Sequence, residues 1–278
     1  MNEILKAACI QLNNKPDRRE NTIIATNLIR EAASAGAQLI ATPEYTCQMV
    51  AVGGTSRLDG AQMEEGHELL HHYRDLAAEL GKWLIIGSLG VKVTDEKLAN
   101  RSYLINGNGD IVAKYDKIHL FNVDLPDGQI FRESRVCVPG DKAVVGKTPW
   151  GGIGLSICFD VRFASLFRKM AQAGARILSI PAAYSIPTGS TTWEIFTRTR
   201  AAETGSFVLA SAQCGNHEGN RETWGHSMII GPLGEILAER KENTPGIIMA
   251  DLDLAASDRA RKNVPSLKQD REFSLESF

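Results

Sequence analysis

The chain lacks most of the features that assign a protein at a glance. It has no run approaching the roughly 18 consecutive apolar residues of a membrane-spanning helix, so no helical membrane protein is expected. No basic cluster interrupts it and its net charge is −2, which offers nucleic acid or an acidic membrane surface nothing to grip. Its five cysteines, Cys9, Cys47, Cys137, Cys158 and Cys214, are scattered without CxxC spacing, which argues against a disulfide framework and against structural zinc. Neither GxGxxG nor a Walker motif is present, so nucleotide binding has no support. The start, Met1-Asn2-Glu3-Ile4-Leu5-Lys6, lacks the basic, apolar and small-residue regions of a signal peptide, and the cytoplasm is the default expectation. No repeat, low-complexity tract or linker divides the chain, so one domain over 1–278 is expected.

What is present is a strand–helix rhythm. Positions 5–12 form a mostly apolar run that fits a buried strand, 14–17 are turn residues, and 22–35 carry Ile23, Ile24, Leu28, Ile29 and Ala32 at helical spacing before Gly36. A short strand at 38–42 stops at Pro43, a helix is expected over 64–80 before Gly81, and a strand follows at 83–87. Positions 102–105 and 111–115 flank an Asn-Gly-Asn-Gly-Asp turn and read as a hairpin. A long polar loop, 121–142, contains Pro126, Phe131 and Val136 and is expected to be ordered. The rhythm resumes with a strand at 153–157, a helix at 163–173, a strand at 177–180, a helix at 193–204, and strands at 207–213, 226–230 and 247–252, with a hairpin turn at 231–234. This alternation marks an α/β layered fold. The polar segment from about 263 reads as an arm able to pack on a partner subunit.

Three apolar strands end in reactive side chains: Leu39-Ile40-Ala41-Thr42-Pro43-Glu44, Val112-Ala113-Lys114-Tyr115-Asp116-Lys117 and Gly154-Leu155-Ser156-Ile157-Cys158. Sites in open α/β sheets form beyond the carboxyl ends of strands, so a carboxylate, an amine and a thiol placed this way can converge. Each also has a bland reading, as a cap, a solvated lysine and a core cysteine. Moving a proton from an ordinary thiol to an ordinary glutamate costs about 5.7 kcal/mol, so Glu44 serves as a base only in an altered environment. Burial strengthens a carboxylate as a base, and a nearby ammonium favours thiolate and the oxyanion formed on attack at an amide carbonyl. A helix starting after Cys158 would aim backbone N–H groups, such as that of Phe159, at the same oxygen.

Several ordered motifs resemble the nitrilase superfamily of carbon–nitrogen hydrolases. They are Pro43-Glu44, Tyr115-Asp116-Lys117-Ile118-His119-Leu120-Phe121, Phe131-Arg132-Glu133-Ser134 with Pro139-Gly140-Asp141, Cys158-Phe159-Asp160-Val161-Arg162-Phe163, Pro181-Ala182-Ala183-Tyr184 with Thr188-Gly189, and Trp193-Glu194. The resemblance covers nearly the whole chain. It implies a four-layer αββα sandwich that pairs with a second subunit to give a homodimer or larger assembly. It implies a catalytic triad of Glu44, Lys117 and Cys158, with Glu133 helping to hold the lysine and the substrate. A thioester intermediate and no metal or organic cofactor also follow from it. Cys-Phe-Asp-Val-Arg-Phe, in place of the Cys-Trp-Glu of true nitrilases, resembles the amidase branch containing omega-amidase and deaminated glutathione amidase. In that branch Arg162 would bind a substrate carboxylate, for which bidentate guanidinium pairing is a sound reason, with Tyr184 and Thr188 lining the same pocket. The chain departs from the family at Asn122, where Asp is common, and at Thr192, where His is common.

The expected activity is therefore hydrolysis of a small amide bearing a carboxylate. An N-carbamoyl amino acid hydrolase, which would release carbon dioxide with ammonia, and an inactive scaffold of the same fold remain as alternatives. His67-Glu68-Leu69-Leu70-His71 matches the HExxH zinc motif but has no further histidine downstream to complete a metzincin pattern, and reads better as a solvated helix face.

Overall fold

The computed structural model describes residues 4–49, 61–125 and 128–278. Among these, two six-stranded sheets pack face to face. The first has the order β16-β1-β2-β3-β4-β5, built from Gly246–Asp253, Ile4–Gln11, Leu39–Ala41, Trp83–Lys92, Leu98–Ile105 and Ile111–Asp116. The second has the order β15-β14-β11-β10-β9-β8, built from Ile236–Arg240, Ser227–Ile230, Phe207–Ala210, Ala175–Ser179, Gly151–Leu155 and Val144–Thr148. Helices α1 (Arg18–Ser34) and α2 (Glu68–Leu80) cover the first sheet, and α3 (Ala164–Gln172) and α4 (Ile186–Thr204) cover the second. This is the four-layer αββα arrangement. No helix among the described residues is long and apolar enough to cross a membrane.

Period-two patterning builds the layers. In β1, Leu5, Ala7 and Cys9 face the second sheet, whereas Ala8 and Ile10 face α1 and α2. In the same way Leu39 and Ala41 point inward and Ile40 outward in β2, and Leu104 points inward and Tyr103 and Ile105 outward in β4. Strands buried on both faces need apolar residues at both parities, which is why they appear in the sequence as continuous apolar runs.

Several element boundaries differ from expectation, each for a local reason. Helix α1 begins at Arg18, because Asp17 is its N-cap and accepts from the amides of Arg19 (2.8 Å) and Glu20 (3.2 Å). Helix α2 begins at Glu68, because His67 caps it, and Glu64–Gly66 form a separate 3₁₀ turn. Helix α4 starts at Ile186, with Pro187 in its first turn, seven residues before the expected start. The expected loop at 121–142 holds a small antiparallel hairpin, β6 (Asn122–Asp124) with β7 (Ile130–Arg132), and a 3₁₀ turn Glu133–Arg135; Pro126 lies outside the described residues. A second hairpin, β12 (Cys214–His217) with β13 (Arg221–Trp224), and a helix α5 (Leu254–Asn263) were not foreseen. The segment beyond α5 packs against α3 of the same chain: Gln172 Nε2 donates to Leu267 O (2.9 Å) and to Asp270 (2.7 Å).

Gly87 in β3 permits a close approach that the fold requires. A Cβ there would lie 2.2 Å from the Thr42 carbonyl oxygen and 2.3 Å from that of Pro43, both rigid backbone. Gly87→Ala is expected to destabilise the protein by about 1–3 kcal/mol through overpacking. A denaturant titration measures it, and an unchanged midpoint and slope would refute the argument.

Candidate active site

Strands β1, β2 and β3 run parallel, and β4 and β5 alternate, so β5 points the same way as β3. Strands β9, β10 and β11 of the other sheet are also mutually parallel. The carboxyl ends of β2, β5, β9 and β10 deliver Glu44, Lys117, Cys158 and Ala183 to one cavity of about 410 Å³. The Glu44 segment is stitched to the bulged middle of β3: the Tyr45 amide donates to Ser88 Oγ (2.9 Å), the Thr46 amide to Ser88 O (3.0 Å), and the Gly87 amide to Thr42 Oγ1 (2.9 Å).

At the cavity floor Lys117 Nζ lies 2.9 Å from Glu44 Oε1 and 2.9 Å from Glu133 Oε2, with all three side chains buried. Burial opposes the ammonium, but the charges of Glu133 and Glu44 outweigh it and hold the Lys117 pKa well above the ordinary value. The carboxylates have further donors. Asn100 Nδ2 bridges them, at 2.9 Å from Glu44 and 3.1 Å from Glu133. Tyr45 Oη donates to Glu133 (3.0 Å), the Phe121 amide donates to Glu133 (2.7 Å), and the Ala183 amide donates to Glu44 Oε2 (3.0 Å). A carboxylate offers about four acceptor sites. Those of Glu133 are filled by these groups, which makes it a residue that holds Lys117. Glu44 accepts from Lys117, Asn100 and the Ala183 amide, and the Cys158 thiol also hydrogen-bonds to it.

Cys158 opens a 3₁₀ turn, Cys158–Arg162, and no α-helix begins there; α3 starts only at Ala164. The expected helix dipole behind the nucleophile is thus reduced to the local amides of one turn. Cys158 has φ 51°, a left-handed conformation that costs a non-glycine residue about 1–2 kcal/mol. Its amide is fixed by the Pro181 carbonyl at 2.8 Å. Buried Asp160 ties the turn to the lysine strand: it accepts from the Ile157 amide (2.9 Å), Tyr115 Oη (2.7 Å) and the His119 amide (3.0 Å). Burial pushes the Cys158 thiol pKa up, the negative charge of Glu44 adds to this, and Lys117 and the Ala183 amide oppose it without cancelling it.

Phe159, Tyr184 and Thr188 line the cavity. Arg162 is not among its lining residues; its guanidinium lies 4.8 Å from the Phe196 ring centroid and donates to Thr192 Oγ1 (3.3 Å). Thr192 thus occupies its departure from the family pattern as a partner of Arg162, while Asn122 Oδ1 accepts from the Ser134 amide (3.1 Å) beside Glu133. Sequence reasoning missed Asn100, Tyr45 and Arg221. Asn100 stands in a strand of mixed polarity, Tyr45 directly follows the Pro43-Glu44 motif without being part of it, and Arg221 reaches the cavity from the unforeseen β12–β13 hairpin. The two histidines of the HExxH match diverge: His67 caps α2, and His71 Nε2 bonds the Glu65 carbonyl (2.8 Å). No cluster of three or more metal-ligating side chains occurs among the described residues.

Comparison with known proteins agrees with this geometry. The model of the carbon–nitrogen hydrolase family matches residues 6–262. A deaminated glutathione amidase from Mus musculus is 37% identical over 274 residues, covering 97% of this chain and 84% of that protein. A Yersinia enterocolitica protein of the same name is 33% identical over 268 residues, covering 95% and 92%. Among solved structures, the C. elegans NitFhit protein superposes with a TM-score of 0.89 at 31% identity; the match takes in 96% of this chain but 65% of that longer one. Saccharomyces cerevisiae Nit3, a member of branch 10 of the nitrilase superfamily, gives 0.85 at 26% identity, covering 98% and 97%.

The raised thiol pKa predicts how Cys158 meets an alkylating reagent. A thiol below its pKa is protonated, and its thiolate fraction grows about tenfold per pH unit. Alkylation of Cys158 by iodoacetate, followed by mass spectrometry, is expected to accelerate through pH 7–9 without levelling. A plateau reached by pH 7 would reveal a resting thiolate instead.

Proposed function

The chain belongs to the carbon–nitrogen hydrolase family, and from that premise we propose that it hydrolyses a small amide bearing a carboxylate through a thioester on Cys158. The observation that carries this reading is the buried Lys117 ammonium held 2.9 Å from both Glu44 and Glu133 in the cavity that receives Cys158. Burial, together with the charge of Glu44, holds the Cys158 thiol pKa above its ordinary value. The thiol therefore stays neutral until substrate arrives. As Sγ attacks the amide carbon, its proton passes to Glu44, to which the thiol is hydrogen-bonded, and the carbonyl π electrons move to oxygen. Lys117 and the Phe159 backbone N–H stabilise that oxyanion. Collapse breaks the C–N bond, and protonated Glu44 gives its proton to the departing nitrogen. Water, deprotonated by Glu44, then attacks the thioester carbon, the C–S bond breaks to release the acid, and Glu44 returns its proton to Sγ.

Deaminated glutathione, named by the mouse and Yersinia relatives, is the first substrate to test, followed by alpha-ketoglutaramate. The free state of all five cysteines supports a reducing, cytoplasmic setting. Exposed Ile195 on α4, with Leu233 and Val264 nearby, supports assembly through this face with a second copy.

Ammonia release from a panel of amides tests the activity. Cys158→Ala is expected to lower it on the order of 10⁶-fold, the scale for losing a covalent nucleophile, and a chelator is expected to leave it intact. Turnover at the wild-type rate in that variant, or loss on chelation, would refute the mechanism. Sedimentation should give at least a dimeric mass for the wild type and a smaller one for Ile195→Glu; a monomeric wild type would exclude the assembly.

A further inference from the structure

We propose that a water molecule held on Asn100 Oδ1, in a second cavity behind the catalytic carboxylates, keeps Asn100 positioned between Glu44 and Glu133. The catalytic consequence rests on the amidase reading; the site itself does not. Asn100 is buried, and its Nδ2 is directed at two carboxylates, Glu44 at 2.9 Å and Glu133 at 3.1 Å. Ionised carboxylates accept and do not donate, so the amide cannot turn over, and Oδ1 faces the other way. Among the described residues nothing donates to that oxygen. A buried acceptor of this kind is rare in folded proteins and is commonly met by ordered solvent.

Space for that solvent lies beside Asn100. A cavity of about 470 Å³ is lined by Asn100 together with Arg18, Gln48, His67 and Gly90, whereas Asn100 does not line the cavity that receives Cys158. Gly90 in β3 is the direct cross-strand partner of Asn100 in β4, so a side chain there would project on the same face, next to the amide. Among the described residues, a Cβ on Gly90 would meet only Leu98 Cδ1, at 3.6 Å, an ordinary contact. Glycine thus leaves open a place that a larger residue would fill. His67 on the same wall does not serve Oδ1. Its Nδ1 accepts from the Leu70 amide (3.4 Å), which puts the proton on Nε2, and Nε2 donates to the Gly90 carbonyl (3.3 Å). A water donating to Oδ1 polarises the amide and strengthens the bonds that Nδ2 gives to the carboxylates. Asn100 is then a positioning residue: from outside the substrate cavity it holds Glu44 Oε1, the oxygen that also binds Lys117.

A high-resolution crystal structure of the wild-type chain is expected to show a solvent oxygen within about 3.2 Å of Asn100 Oδ1. No solvent there, or a protein donor in its place, overturns the site. Kinetics on the amide turned over fastest test the role. Gly90→Val suits a strand and offers no hydrogen bond; it is expected to exclude the water and lower kcat about 3–10-fold with KM little changed, the scale of one neutral hydrogen bond. Gly90→Ser puts a hydroxyl on the same Cβ, able to donate to Oδ1, and should recover most of that loss. Equal losses in the two variants, an unchanged kcat in Gly90→Val, or a rise in KM alone would each overturn the positioning role. The wild-type structure decides the site even where Gly90→Val does not fold. If the wild type hydrolyses no amide, the catalytic reading fails, while solvent at Oδ1 still supports the site and its absence overturns it.

Discussion

The ammonium of Lys117, taken out of water between two carboxylates, is the constraint around which the rest is arranged. Removing three ions from solvent costs several kcal/mol each unless every one is met by partners of good geometry. Meeting that demand recruits groups from distant parts of the chain: the side chain of Asn100 from β4, the hydroxyl of Tyr45 after β2, the amide of Phe121 after β5 and the amide of Ala183 after β10. The cluster thus ties strands and strand ends of both sheets together at the candidate site. Electrostatic satisfaction and active-site geometry are here one requirement.

Two residues with left-handed backbones mark where the chain bends to meet it. Tyr45, directly after Glu44, has φ 54°, and Cys158 has φ 51°. Neither is glycine, so each conformation is maintained against its own preference by the bonds around it: Tyr45 through the Ser88 hydroxyl, and Cys158 through the Pro181 carbonyl and the Asp160 knot. Strain of this kind persists where surrounding structure over-determines the backbone.

What the sequence made legible follows from the same physics. Glu44, Lys117 and Cys158 stand where apolar runs stop, and a strand buried on both faces announces its own end. Arg221 could not be placed because the hairpin that carries it has only four-residue strands with mixed polarity, and its left-handed corner at Gly219 (φ 72°) lies in a generally polar stretch. Helix α5 was hidden because it buries little more than Leu254 and Ser257, so its helical period is faint, and the Asp253 cap is its main local signal. Asn100 shows the general limit. A polar residue in a buried strand has meaning only through partners 33 and 56 positions away, and nothing local encodes them.

The upward shift of the Cys158 thiol pKa has a consequence for oxidation. Peroxide reacts with thiolates, so a thiol whose pKa is raised spends little time in the form that is converted to sulfenic acid. Burial acts in the same direction on Cys9, pushed up to about 12, and on Cys47 and Cys214, each at about 11. On the proposed reading, burial of this kind would protect the Cys158 sulfur from oxidation without a resolving partner.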